Sequence, residues 1–343
     1  MGGGTAVDTV SLLALVAVAA TAAAAAAIGT AWVRRIALRR SILDIPNERS
    51  SHVAPTPRGG GAAIVAVCVA GWVVFGLQSG EGGWLAACAL GVALVSAVDD
   101  VRPLGTGLRM GVHLAAAVAL GLAVGGWETI EAPVGELGLG LLGLPLAVFW
   151  LVGLTNAYNF MDGIDGIAAT QAVVGGAGWA LAGAWLGNPF VSLSGGLVAG
   201  GSLGFAIHNW PPARIFMGDV GSAFLGFVFA GLALYGEGRL PLASLLFVWP
   251  FVFDAAYTFV RRAARGENVF KAHRSHLYQR LVIAGWSHRR TTMVYAALAV
   301  WSASCGLAWL ATGSAAAAVA GLGIAPLVAL GTTWAAERSA PGE

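Results

Sequence analysis

Apolar residues run along this chain in long blocks, broken by short clusters of Gly, Pro and charged residues. A helix that crosses a bilayer needs about 20 mostly apolar residues. Eleven blocks come close, near 9–33, 62–79, 83–98, 109–126, 141–158, 167–187, 190–208, 221–235, 241–260, 291–311 and 315–335, the third and eighth being short. The pattern predicts an all-α, polytopic integral membrane protein of about 11 transmembrane helices, a single membrane-embedded domain over residues 1–343.

Composition removes the soluble alternative. Hydrophobic residues make up 57% of the 343 and charged residues 10%, against roughly 25% charged in soluble domains. Mean hydropathy is +0.77. Fifty glycines and the alanine tract from Ala22 to Ala27 suit close helix packing in lipid. Tryptophans near block ends (Trp32, Trp84, Trp127, Trp150, Trp210) suit the membrane interface. A formal charge of +2 gives no footprint for nucleic acid. Cys68, Cys88 and Cys305 lie in apolar runs and offer neither a disulfide framework nor zinc spacing.

The distribution of charge orients the chain. If the blocks alternate across the bilayer, all nineteen Lys and Arg except Arg239 fall on one side. Basic loops stay cytoplasmic, which predicts the N-terminus outside and the C-terminus in the cytoplasm. Four arginines follow the first block and no basic residue precedes it, the reverse of a signal peptide. The outer loops, with Glu81, Glu128, Glu131, Glu136 and Glu237, read as passive connectors.

The inner loops, near 34–61, 99–109, 156–166, 209–220 and 261–290, each carry a dense polar motif. The first, DIPNERSSHVAPTPRGGG, holds Asp44, Asn47, Arg49, His52 and Arg58 as candidate substrate-binding groups. Pro55 and Pro57 set an extended path there, and Gly59 to Gly61 permit close backbone approach. Asp99 and Asp100 sit side by side at the inner end of a block, a costly place for two like charges. In NAYNFMDGIDG, a continued helix would put Asn159, Asp162 and Asp165 on one face. HNWPPARIFMGDVGS offers Asn209 and Asp219, with Ser222 placed to cap the next helix. The last loop brings His273, Arg274 and His276 together. Asp254, about two turns inside a block, is either functional or a partner for Arg261 or Arg262.

So many acids on one face need a divalent cation to neutralise them. All the candidate ligands are oxygens, which points to Mg2+, with Mn2+ as substitute; the HxxH pair lacks the soft ligands zinc would take. Histidine and arginine beside such an ion suit a phosphate clamp. The chemistry is phosphoryl transfer at the membrane surface.

The set DxPNxRxxHxxPTPRGGG, DD, NxxNFMDGIDG, FMGDxGSxFLG and HRSHLYQRL, in order over roughly residues 40 to 290, resembles the polyprenyl-phosphate N-acetylhexosamine-1-phosphate transferases of glycosyltransferase family 4. That family includes enzymes that begin O-antigen and teichoic-acid linkage units, and the phospho-MurNAc-pentapeptide translocase. The resemblance implies a multi-pass enzyme of the bacterial inner membrane, its active site facing the cytoplasm. It would move an N-acetylamino-sugar 1-phosphate from a UDP-sugar to undecaprenyl phosphate, with release of UMP. It also implies Asp219, Asp162 and Asp99 as metal ligands, and Asp99, Asp100, Asp162, His273 and His276 as catalytic. Asn159 and Asp165 would serve the nucleotide, Asp165 near the uracil, with Phe216 stacked on the base. Asn209 and Arg274 would contact the diphosphate. HRSH in place of adjacent histidines disfavours UDP-MurNAc-pentapeptide and favours UDP-GlcNAc or a 6-deoxy relative such as UDP-FucNAc or UDP-QuiNAc. A homodimer is left open.

Two rival classes are weaker. A transporter of nucleotide or lipid-linked sugars would place its polar groups near the midplane, whereas here they gather at one face, with Asp254 the deep exception. A CDP-alcohol phosphotransferase would carry a DG…AR…G…D…D helix, which is missing.

Overall fold

The computed structural model describes residues 11–46, 54–77, 80–269 and 273–340. About three-quarters of it is helix. In chain order come α1 (Leu12–Arg39), α2 (Ala62–Val74), α3 (Glu81–Val101), α4 (Thr106–Val124), α5 (Gly143–Phe160), α6 (Ile167–Trp185) and α7 (Pro189–Asn209). These are followed by α8 (Asp219–Leu232), α9 (Leu240–Phe247), α10 (Trp249–Ala264), α11 (Leu277–Ile283), α12 (His288–Thr312) and α13 (Ala315–Ser339). Starts follow local chemistry: the side chains of Ser11, Asn188, Ser287 and Ser314 each accept from the amide three residues on.

The core is built around α8, in which every residue from Val220 to Leu232 is buried. Small residues let its neighbours close up. A Cβ on Gly195 of α7 would strike the Ala180 amide of α6, and one on Gly204 would strike the Ala23 carbonyl of α1. Helices α1, α4 and α13 keep much of their apolar surface exposed, as lipid-facing helices do.

All eleven apolar runs carry helix, but not all are spans. Among the described residues, eight helices are long and apolar enough to cross a bilayer, nine if one bent pair counts as a single span. At 1.5 Å per residue α2 rises only about 20 Å, short of the roughly 30 Å hydrocarbon core. Helix α8 is likewise short, even with the 3-10 turn that extends it to Tyr235. The run at 241–260 is broken, with α9 and α10 meeting at 79°. Pro250, in the first turn of α10, has no N–H and disfavours helix in Trp249 before it. The break leaves the Phe247 carbonyl available, and the Gln171 side chain of α6 donates to it at 2.8 Å.

Two small ladders complete the fold. Leu43–Asp44 (β1) pairs antiparallel with Thr56–Pro57 (β2). The acidic segment expected to be a passive connector is instead a hairpin, Thr129–Ala132 (β3) against Gly135–Gly138 (β4). Arg239, the one basic residue assigned to the outer side, pairs with Glu131 at 3.0 Å, and its carbonyl accepts from the Trp309 indole at 3.2 Å. This clasp joins the hairpin, α9 and α12 at the end of the bundle opposite the acidic motifs.

Candidate active site

Asp100 acts as a helix cap donated by another helix. Its carboxylate accepts from the amides of Asp219 and Val220, at 3.0 and 3.1 Å, at the start of α8. Those amides have no intrahelical partner, so a carboxylate there satisfies them and the helix dipole together. Gly218 explains its own place in the motif: φ is +76°, and a Cβ there would land on the Asp100 carboxylate. Arg58 donates to the same carboxylate at 2.5 Å. The Ser222 hydroxyl does not cap α8, as the sequence suggested. It donates to the Gly218 carbonyl and accepts from the Asn159 amide at 2.9 Å.

Asp99 accepts from the Leu104 amide at 2.6 Å with one oxygen and from Arg109 with the other. The same Arg109 nitrogen stands 2.8 Å from Asp99 and 2.8 Å from Asp219. Two carboxylates from α3 and α8 thus converge on one positive charge. The Asn159 side chain of α5 lies beside Asp219 and helps to stabilise its charge.

The expected face through Asn159, Asp162 and Asp165 is interrupted, because α5 stops at Phe160. Asp162 follows in a turn, its amide on the Asn159 carbonyl at 3.2 Å. Burial, and then the carboxylates of Asp219, Asp100 and Asp165, push the Asp162 pKa up to about 8. Asp165 turns away to bind the loop after α7: it accepts from the Ala213 amide at 3.0 Å and lies 3.3 Å from His288 Nδ1. Asn209 is buried and uses both ends of its amide within the protein, on the Gly166 amide and the Ile215 carbonyl. Phe216 ties the first loop in through its backbone, donating to the Pro57 carbonyl and accepting from the Gly60 amide. Asp44 lies in β1 and its charge reaches Arg58. Asn47, Arg49 and His52 lie outside the described residues.

The histidine loop is docked by Asp254. The sequence left Asp254 between a functional role and a bond to Arg261 or Arg262, but its hydrogen bonds are to other groups. His276 Nδ1, the Leu277 and Tyr278 amides, and the Thr258 and Tyr295 hydroxyls converge on it at 2.6–3.2 Å. Arg261 binds the Ser275 carbonyl and Arg262 pairs with Glu267. The Tyr278 hydroxyl donates to the Phe160 carbonyl at 3.0 Å and occupies the space a Cβ on Gly163 would need. The His273 ring lies 5.0 Å from that of His276. Burial, with His276 and nearby arginines second, pushes His273 down to about 4, so it is neutral at pH 7. Arg274 lies between the two histidines in the chain.

Among the described residues no three acids or histidines gather closely enough to cage an ion alone. Magnesium is commonly held by one or two carboxylates and completes its shell with waters and phosphates. The observation that fits such an ion is the convergence of Asp99 and Asp219 on one cation, with Asp162, raised chiefly by its burial and then by these acids, close by. Asp99 and Asp219 are the residues that would hold it, and Asp162, the third ligand the resemblance implies, stands beside them.

The glycosyl transferase family 4 model matches residues 83–237. A Bacillus subtilis (strain 168) protein described as a probable undecaprenyl-phosphate N-acetylglucosaminyl 1-phosphate transferase is 32% identical over 277 residues, 77% of this chain and 76% of its own. The chain belongs to glycosyl transferase family 4. A phospho-N-acetylmuramoyl-pentapeptide-transferase of Synechococcus sp. (strain JA-3-3Ab) is 35% identical over 279 residues, covering 75% of this chain and 79% of its own. The decaprenyl-phosphate N-acetylglucosaminephosphotransferase of Mycobacterium tuberculosis (strain CDC 1551 / Oshkosh) is 29% identical over 309, covering 77% and 75%.

The matched segment of this family 4 member takes in Asp99, Asp100, Asn159, Asp162, Asp165, Asn209, Phe216 and Asp219, and ends before the histidine loop. Sequence reasoning missed Arg109 and His288 as site residues. Arg109 had a signal, a cation at the very start of the apolar block that follows the paired acids. His288 had none, since its partner Asp165 is 123 residues away.

Proposed function

We propose that this family 4 member transfers an N-acetylamino-sugar 1-phosphate from a UDP-sugar to undecaprenyl phosphate at the cytoplasmic face of the bacterial inner membrane. The observation that carries the reading is the shared Arg109 between Asp99 and Asp219, with Arg58 on Asp100 beside them. Acids and cations arranged this way suit an ion and phosphates more than a neutral ligand. The relatives' descriptions, all transferases that name a polyprenyl phosphate or a phospho-sugar, support the same reading.

A phosphomonoester has a second pKa of about 6, so the lipid phosphate already carries a nucleophilic oxygen. That oxygen attacks the phosphorus bearing the sugar, the bond to UMP breaks, and UMP departs with the electron pair. Bound magnesium would neutralise charge on the transferring phosphates. The protein's own task is alignment. Arg58, Arg109, Arg274 and His276 hold anionic oxygens, and Asp100 keeps the start of α8 in place. Attack is direct in this scheme, because both oxygens of Asp99 and both of Asp100 already accept hydrogen bonds, which blunts either as a nucleophile.

The donor we propose is UDP-GlcNAc or a 6-deoxy relative such as UDP-FucNAc or UDP-QuiNAc, with a product that begins an O-antigen-like envelope polysaccharide. The HRSH sequence supports this over UDP-MurNAc-pentapeptide. Purified protein with undecaprenyl phosphate and magnesium is expected to release UMP from one of the small donors, and little from UDP-MurNAc-pentapeptide. Absence of UMP with every donor would overturn the reading.

Sidedness gives a separate check. In a cysteine-free background, a cysteine replacing Ser275 should resist an impermeant thiol reagent in intact cells and react once the membrane is opened. One replacing Gly135 should react in intact cells. Labelling at Ser275 from outside contradicts the cytoplasmic assignment.

A further inference from the structure

We propose that Asp254 is the positioning residue for His276: it fixes the imidazole as the Nδ1–H tautomer and aims Nε2 at the reacting phosphates. The inference rests on the transfer reading above and extends it to a residue that touches no substrate.

The geometry is specific. Asp254 is wholly buried in α10, and its two oxygens receive five donors, from the start of α11, from α12 and from its own helix. An ionised carboxylate only accepts, so the ring nitrogen 3.2 Å from Oδ1 must carry the proton. Among the described residues Nε2 has no hydrogen-bond partner, which leaves it for an incoming ligand. The amides of Leu277 and Tyr278, at 2.8 and 3.1 Å, lock the backbone just after His276 to the same carboxylate. Gln279 holds the His276 amide at 3.2 Å. Ring orientation, tautomer and backbone position are therefore set by one acid, the arrangement that makes a buried histidine useful as a directed donor or acceptor. The Tyr295 hydroxyl, at 2.6 Å, brings α12 into the same clamp. A role confined to stability would need only the backbone amides satisfied and would not require the imidazole on the carboxylate.

The test uses full-length purified protein and three variants: Asp254→Asn, His276→Gln and the double variant. Asp254→Asn keeps the volume but replaces one acceptor oxygen with a donor. Its turnover is expected to fall by about 10²-fold or more, with the donor KM changed much less. In the His276→Gln background the same substitution should cost almost nothing further, because the effect runs through the ring. Equal losses in both backgrounds would overturn the proposal. A readout independent of transfer is the 15N spectrum of histidine-labelled protein, with His276 assigned by its absence in His276→Gln. Protonation at Nδ1 is expected in the wild type and a move to Nε2 in Asp254→Asn. Wild-type protonation at Nε2 alone sinks the proposal even if the enzyme is active. Should no donor yield UMP, the transfer reading falls while the tautomer result still decides the positioning claim. If Asp254→Asn does not fold, Tyr295→Phe removes a single donor from the same carboxylate and is read in the same spectrum, where an unchanged His276 signal and unchanged turnover count against the clamp.

Discussion

Asp219→Asn is expected to leave the protein folded and to reduce sugar-phosphate transfer by about 10³-fold. The side chain shares Arg109 with Asp99, lies beside Asn159 and heads the buried helix α8. The asparagine preserves shape but removes the charge on which these groups converge, so the loss should appear in turnover rather than in thermal stability. UMP release by the purified variant, measured beside its melting temperature, gives the answer. More magnesium should not restore the rate, because the charge itself is missing. A near-normal rate at saturating magnesium would remove Asp219 from the centre of the site.

Gly218→Ala is expected to damage both stability and turnover. An alanine at φ +76° costs roughly 1–2 kcal/mol, and its Cβ falls where the Asp100 carboxylate lies. Asp100 must then retreat from the two α8 amides, and hydrogen bonds to a charged group contribute roughly 1.5–3 kcal/mol each. Displacing the start of α8 moves Asp219, and a shift of about 1 Å at such a site costs about 10²-fold in rate. Gly59 supplies the control: φ is +90°, but nothing lies within 4 Å of its Cβ position. Gly59→Ala should therefore show a small loss of stability and a nearly normal rate. Equal behaviour of the two alanines would show that the Asp100 contact does not matter.

Much of this fold is legible in the sequence because lipid imposes one rule on every span: a long apolar run must be a helix. All eleven runs obey it. Composition does not reveal whether a helix is complete, and so α2 and the broken α9–α10 pair looked like ordinary spans; of the two blocks read as short, 221–235 is the short α8, while 83–98 lies in a helix long enough to span. The break turns on Pro250 and on Gln171 from another helix reaching the Phe247 carbonyl, a contact between residues 76 apart. The acids of the site were visible as costly residues at block ends. Their division of labour was not. Asp99 and Asp100 are identical neighbours in the chain, yet one meets Arg109 and the other caps α8, because adjacent helical positions face different directions. Nor did the sequence show the bonds that Asn209 and Asp165 make to the protein's own backbone. The hairpin at 129–138 lacked the apolar alternation that announces strands, and Arg239 and Gly238 hold it from a distance.

The bond from Tyr295 to Asp254 also sets a timetable for biosynthesis. The acidic motifs leave the ribosome early, but the carboxylate that docks the histidine loop lacks one of its five donors until α12 has been made, and Asp165 waits for His288 across 123 residues. At roughly 5–20 residues per second that interval is about 6–25 s. During it the chain already holds its paired acids in the bilayer without the second half of the site. A chain that stops before Tyr295 therefore carries the acids of the site while the carboxylate that docks its histidine is still one donor short.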